Sequence, residues 1–283
     1  MKSRALHLCL AALAFLTLAA ILGPYCSPYS VDQISQTRLA SPDATHWLGT
    51  DLHGRDLLTR LLFGARISLL VGLVGATISL FVGVTYGLIS GYLGGRIDNA
   101  MMRFVDILYA LPRIVLVIVL ISLFDLKLKH LLDGTFLAPL ASHARLLLLF
   151  VGLGLVEWLT LARIVRAQVL SIKERAFVLS ARLIGQNTPT ILFRQILPQV
   201  LPIVLTYLTL ALPAVILEES FLSFLGLGVQ APLASWGTLL ADGAALLNPI
   251  RTPWWLIVFP SLLLAFTLLL LNFLGDQLRK LQK

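Results

Sequence analysis

Hydrophobic positions in this chain gather into six long runs, at residues 5–23, 67–92, 104–124, 146–164, 201–221 and 254–273. Each is close to the roughly 20 residues an α-helix needs to cross a ~30 Å hydrocarbon core. Irregular backbone is not tolerated against lipid, because its N–H and C=O groups would lack partners. The pattern predicts an all-α membrane protein with six transmembrane helices. The first run follows Lys2 and Arg4, but its 19 residues exceed a usual signal-peptide core and no A-x-A site follows. It reads as an uncleaved first helix, ended by Pro24 and Pro28. Residues 25–66 are polar and irregular, with 46–69 reading as a turn followed by a helix, and 125–145 reads as a mixed loop. These features divide the chain into residues 1–66 and a transmembrane unit over 67–283, with a polar loop at about 167–198.

Composition sharpens this picture. Of 283 residues, 58% are hydrophobic and only 13% charged, where a soluble domain carries about 25% charged. The net charge of +8 belongs to loops rather than to a nucleic-acid surface, since no basic segment is longer than a loop. With the N-terminus inside, thirteen of the 22 basic residues fall in inner segments and eight in the longer outer ones. The positive-inside rule then places both termini, and the 167–198 loop, in the cytoplasm. Cys9, Cys26 and five scattered histidines match no disulfide framework or metal motif. The chain has no G-x-x-x-x-G-K-[ST] phosphate loop, and no cofactor is expected here.

Charges inside the runs are costly, about 2.5–3.5 kcal/mol for Asp, Lys or Arg at a helix centre, and tend to face protein or water. Asp106 and Arg113, seven apart, would share a helix face, with Pro112 loosening the ladder between them. Glu157 sits mid-run, and Glu218 and Glu219 fall toward the outer end of the fifth helix. Asp106, Arg113, Glu157 and Glu218 are candidates for a translocation path; structural pairing is the simpler expectation. An ion-coupled secondary carrier would use such residues as a midplane site, but Asp106 and Glu218 fall near opposite ends. Gly83, Gly87, Gly91 and Gly95 recur every four residues. That spacing predicts close helix packing, within the chain or against a partner subunit.

The stretch 177–202 is a polar and basic island between apolar runs. Gly185 can stop a short helix as a C′ glycine. Thr188 can cap a second, with Pro189 at its first position. The product is either a compact docking knob or a hairpin lying on the membrane surface.

This stretch resembles the coupling motif of ABC-importer permeases, Glu-Ala-Ala, three residues, Gly, nine residues, Ile, one residue, Leu-Pro. Here Leu179-Ser180-Ala181 stands at Glu-Ala-Ala, Gly185 holds, and Leu197-Pro198 falls at the expected distance. Leu179 replaces the Glu and Gln195 the Ile. Further stretches are similar to the C-type permease subunit of the dipeptide, oligopeptide and nickel importers. They are His46–Asp51, Gly54–Asp56, Gly64–Leu69, Ala162–Arg166 with Leu170-Ser171, Leu222–Gln230, Ser235–Gly237 and Asn272–Asp276 with Leu278-Arg279. The resemblance spans His46 to Arg279. It implies a permease of the bacterial cytoplasmic membrane that forms its pathway with a second, homologous permease subunit. Two cytoplasmic ATPases would dock on Ser180, Ala181, Gly185, Phe193, Leu197 and Pro198, and an extracytoplasmic binding protein would deliver di- or oligopeptides.

Overall fold

A computed structural model describes residues 2–136, 138–248 and 252–281. Arg251 and Lys283, and the side chains of Lys2 and Arg4, all counted in the charge tally, lie outside the described residues. The elements are α1 (Lys2–Cys26), α2 (Leu57–Leu93), α3 (Gly95–Ala110), α4 (Arg113–Asp133), a 3₁₀ segment (Ala138–His143), α5 (Ala144–Ile172) and α6 (Ala176–Leu183). They continue with α7 (Thr188–Thr190), a π-helical stretch (Ile191–Ile196), α8 (Leu197–Phe224), α9 (Trp236–Ala245) and α10 (Trp255–Leu281). Among the described residues, five helices are long and apolar enough to cross a membrane, and a sixth span forms if the bent pair α3–α4 counts as one.

The helices outrun the apolar runs that announce them. α2 starts at Leu57, inside the 1–66 segment, because the Asp56 carboxylate accepts the Thr59 N–H at 2.8 Å and caps it. α1 passes Pro24 and ends at Cys26. α4 continues to Asp133, through residues expected in a loop, helped by the Lys129–Asp125 pair at 2.9 Å. α10 takes in the basic tail as far as Leu281. At 1.5 Å per residue the 37 residues of α2 span about 55 Å, well beyond the hydrocarbon. Hydropathy marks what sits in lipid; the hydrogen-bonded ladder extends into water wherever a cap allows.

The centre of the bundle is the pair α2–α5, with α8 packed on both. α2 buries a face rich in Gly, Ala and Ser. A Cβ at Gly87 would lie 2.6 Å from the Ala162 carbonyl, and those at Gly83 and Gly91 would lie 2.9 and 2.8 Å from Leu161 and Val169 Cβ. The glycine stripe therefore packs on α5 of the same chain, not on a partner. Gly95 does not belong to it: it opens α3 at φ +58, and among the described residues a Cβ there would meet nothing within 4 Å. α1 and α10 flank the centre and expose leucines and phenylalanines such as Leu8, Phe15, Leu262 and Leu269, as a lipid-facing surface requires.

Candidate functional site: a docking knob and a charge cluster

α6 ends as the sequence predicts. Gly185 takes φ +77, its N–H bonds to the Arg182 carbonyl at 3.0 Å, and the Gln186 N–H reaches the Ala181 carbonyl at 3.0 Å. These paired bonds are the Schellman closure, which a left-handed residue at this position permits. The following cap differs from expectation. Asn187, extended at φ −71 and ψ 154, accepts the Thr190 N–H at 3.1 Å; Thr188 already lies in the helix. Asn is among the strongest N-caps. Nor is the second short helix separate: α7 runs through the π-helical stretch into α8, giving 37 continuous residues from Thr188 to Phe224.

Val178 and Ala181 point inward, buried against Ile191, Ile196 and Val169. Ala181, expected at a docking surface, is instead the seam joining α6 to the base of α8. Ser180, Gly185 and Pro198 are exposed and Leu197 half-buried. The outward apolar cap is Leu179, Leu183, Ile184 and Phe193, with Leu183 at 88% and Ile184 at 75% exposure. Arg175, Arg182 and Arg194 are exposed around it. Behind the knob, Arg166 bonds both carboxylate oxygens of Asp98, Ser90 donates to the same carboxylate, and Lys173 Nζ donates to the Gly91 carbonyl at 2.9 Å. α2, α3 and α5 are thus fastened where the knob leaves the bundle.

Asp106 and Arg113 do not share a helix face. The chain bends by 89° between α3 and α4, with Leu111 extended at φ −84 and ψ 140 before Pro112. A residue preceding proline is pushed out of the helical region, and this was the signal available in the sequence. Asp106 pairs with Arg163 at 2.7 Å. Arg113 turns instead to Glu157, at 2.8 Å, with Glu218 3.9 Å away. Arg113 also donates to the Tyr109 hydroxyl at 3.0 Å, and Tyr207 donates to Glu157 at 3.0 Å. Arg113, Glu157 and Glu218 therefore meet, although spacing along the chain gave no hint of it.

Glu219 faces away from this cluster and is fully buried. Ser68 and Ser223 donate to it at 3.0 and 2.7 Å, and Ser68 in turn accepts the Trp236 N–H at 3.3 Å. One carboxylate so joins α2, α8 and the start of α9. A second knot closes the segment before α2: Asp51 receives Arg55 Nε and Arg60 Nη1, each at 2.7 Å. Burial would raise the Asp51 carboxyl, but the Arg55 backbone N–H and the charges of Arg60 and Arg55 outweigh it and hold the group below its ordinary 3.8.

The architecture defines a class: a multi-pass helical permease with the fold of an ABC importer's membrane subunit. The structure superposes on the MetNI methionine ABC transporter in an inward-facing conformation with TM-score 0.58 and 17% identity, covering 77% of this chain and 94% of that one. Residues 83–283 match the family described as binding-protein-dependent transport system inner membrane component. The chain is 42% identical over 268 residues to the dipeptide transport system permease protein DppC of Bacillus subtilis, covering 94% of this chain and 78% of the relative. It is 43% identical over 282 residues to the oligopeptide transport system permease protein OppC of Escherichia coli K12, covering 99% and 86%. The chain belongs to the binding-protein-dependent transport system inner membrane component family. It is an ABC-importer permease of the cytoplasmic membrane, not a secondary carrier.

Proposed function

We propose that this chain carries di- or oligopeptides, and that it does so by transmitting ATPase closure through the knob between α5 and α8. The carrying observation is the knob itself: an exposed apolar cap of Leu179, Leu183, Ile184 and Phe193, ringed by arginines and built onto the base of a 37-residue helix. An apolar patch exposed beyond the membrane spans marks a protein contact. The charge distribution supports a cytoplasmic position for it, and for both termini. Two ATPase subunits, holding ATP and Mg, dock there; hydrolysis is theirs. A second homologous permease completes the pathway, and an extracytoplasmic binding protein delivers the peptide. ATP closes the ATPase pair, and the continuous α7–α8 helix moves with the knob, biasing the bundle between two states.

The test uses Ile184→Asp and Gly185→Leu in the reconstituted complex. Ile184 is 75% exposed, and a Cβ at Gly185 meets nothing within 4 Å, so neither change disturbs packing within this chain. Gly185→Leu adds backbone strain of about 1–2 kcal/mol. The expected result is loss of most of the ATPase stimulation by loaded binding protein, with membrane insertion intact. Unchanged coupled transport in both variants refutes the docking assignment.

A further inference from the structure

The Arg113 cluster lies at the middle of a span: Glu157 is near the centre of the 29-residue α5. It sits at the break between α3 and α4, and broken helices commonly frame transport sites. It is also open. The Arg113 side chain keeps 38% of its surface, Tyr109 40%, and the Arg163–Asp106 pair 40% and 63%. Both guanidiniums lie over the ring of Tyr109, with the Arg113 and Arg163 carbons 5.4 and 4.3 Å from its centroid. A polar strip therefore runs along α3, α4 and α5 from mid-span toward the knob end. Half-exposed charges at this depth cannot face lipid without large cost, so the strip faces a water-filled path or protein.

The strip is not electrically balanced. Asp106 is matched by Arg163 and Glu157 by Arg113, which leaves one carboxylate over. Glu218 is that group: its side chain is partly exposed, its nearest cation is 3.9 Å away, and among the described residues it accepts no hydrogen bond. The Arg113–Glu157 pair also contacts hydroxyl groups. The Tyr109 hydroxyl accepts from Arg113 and the Tyr207 hydroxyl donates to Glu157, each at 3.0 Å, and the Thr160 hydroxyl is buried.

We propose that Glu218, with the hydroxyls bordering the Arg113–Glu157 pair, binds the α-ammonium group of the transported peptide during passage. An ammonium is compact, carries three donors and supplies the single positive charge the strip lacks. Every peptide with a free N-terminus presents one whatever its sequence, so such a contact holds the substrate without selecting its side chains. The inference rests on the peptide reading given above.

The test is uptake of radiolabelled trialanine by proteoliposomes holding the complete complex, supplied with binding protein and ATP. Trialanine carried per ATP hydrolysed is compared among wild type, Glu218→Gln and Glu218→Asp. The expected result for Glu218→Gln is a fall of about tenfold or more in trialanine per ATP, with ATPase stimulation within twofold of wild type. Glu218→Asp keeps at least half of the wild-type value. Unchanged transport in Glu218→Gln overturns the proposal. So does a Glu218→Asp variant as poor as Glu218→Gln, which would make size rather than charge the issue. Loss of ATPase stimulation together with transport also overturns it, assigning Glu218 to the coupling frame. A wild-type complex that hydrolyses ATP but carries no trialanine refutes the peptide reading itself, and the ammonium site falls with it.

Discussion

Replacing Gly87 by Ala tests how tightly the two central helices are joined. The new methyl group would stand 2.6 Å from the Ala162 carbonyl oxygen and 2.7 Å from Val165 Cβ, where ordinary contact begins at 3.4 Å. The nearer obstacle is backbone and cannot rotate aside, so α5 must retreat from α2 by several tenths of an ångström. Gly83 and Gly91 sit on the same seam, so the retreat loosens contacts one turn above and below. Overpacking of this kind costs about 1–3 kcal/mol, while the better helix propensity of Ala returns at most about 1 kcal/mol. A net loss of about 1–2 kcal/mol is expected. Each kcal/mol lowers Tm by about 2–4 °C in a chain of this size class. The assay is thermal unfolding of the purified protein in detergent, with Gly134→Ala as control. Gly134 has φ −83, and the nearest atom to its Cβ would be 3.9 Å away, so the control should stay within about 0.5 kcal/mol of wild type. A Gly87→Ala protein as stable as wild type, or a control that falls equally, refutes the packing argument.

Glu219→Leu strips Ser68 and Ser223 of their buried acceptor and should cost about 1–3 kcal/mol. Glu219→Gln keeps an acceptor and should cost less, and parallel thermal scans decide between them. The folded Asp51 carboxyl lies below its ordinary 3.8, so its contribution is full above that pH and is lost as pH falls below it toward the folded value. Hydrogen exchange at residues 50–57, corrected for intrinsic rate, should accelerate in that window. Asp51→Asn should show fast exchange already at pH 7, and a wild type equally protected on both sides of pH 3.8 would contradict the knot. Asp98→Asn weakens the Arg166 fork and should raise cleavage by added protease near Gly94 and Gly95. An unchanged cleavage pattern would mean that the fork does not hold α3.

Much of the fold is legible in the chain because its causes are local. Twenty apolar residues in a row have few alternatives to a spanning helix, and Gly185, with no Cβ, closes α6 in a conformation that strains other residues. Leu197-Pro198 marks the base of α8 for the same kind of reason. The path residues behaved differently. Asp106 and Arg113 look like neighbours at helical spacing, yet Pro112 turns the chain and sends them to different partners. Gly95 extends the four-residue rhythm of Gly83, Gly87 and Gly91 in sequence but lies on another helix.

The sequence by itself determined that this is a polytopic helical protein, where five of its six predicted spans fall, and that a short helix closed by Gly185 precedes α8. Hydropathy and backbone preference act over a few residues, and a single chain displays them in full. Only the tertiary structure decided that Ala181 is a buried seam while Leu183 and Ile184 form the outer cap. It alone decided that the glycine stripe meets α5 of its own chain, and that Arg113, Glu157 and Glu218 come together. Those outcomes depend on which helices become neighbours and how each is rotated, and a charge 44 residues from its partner carries no local mark of the pairing.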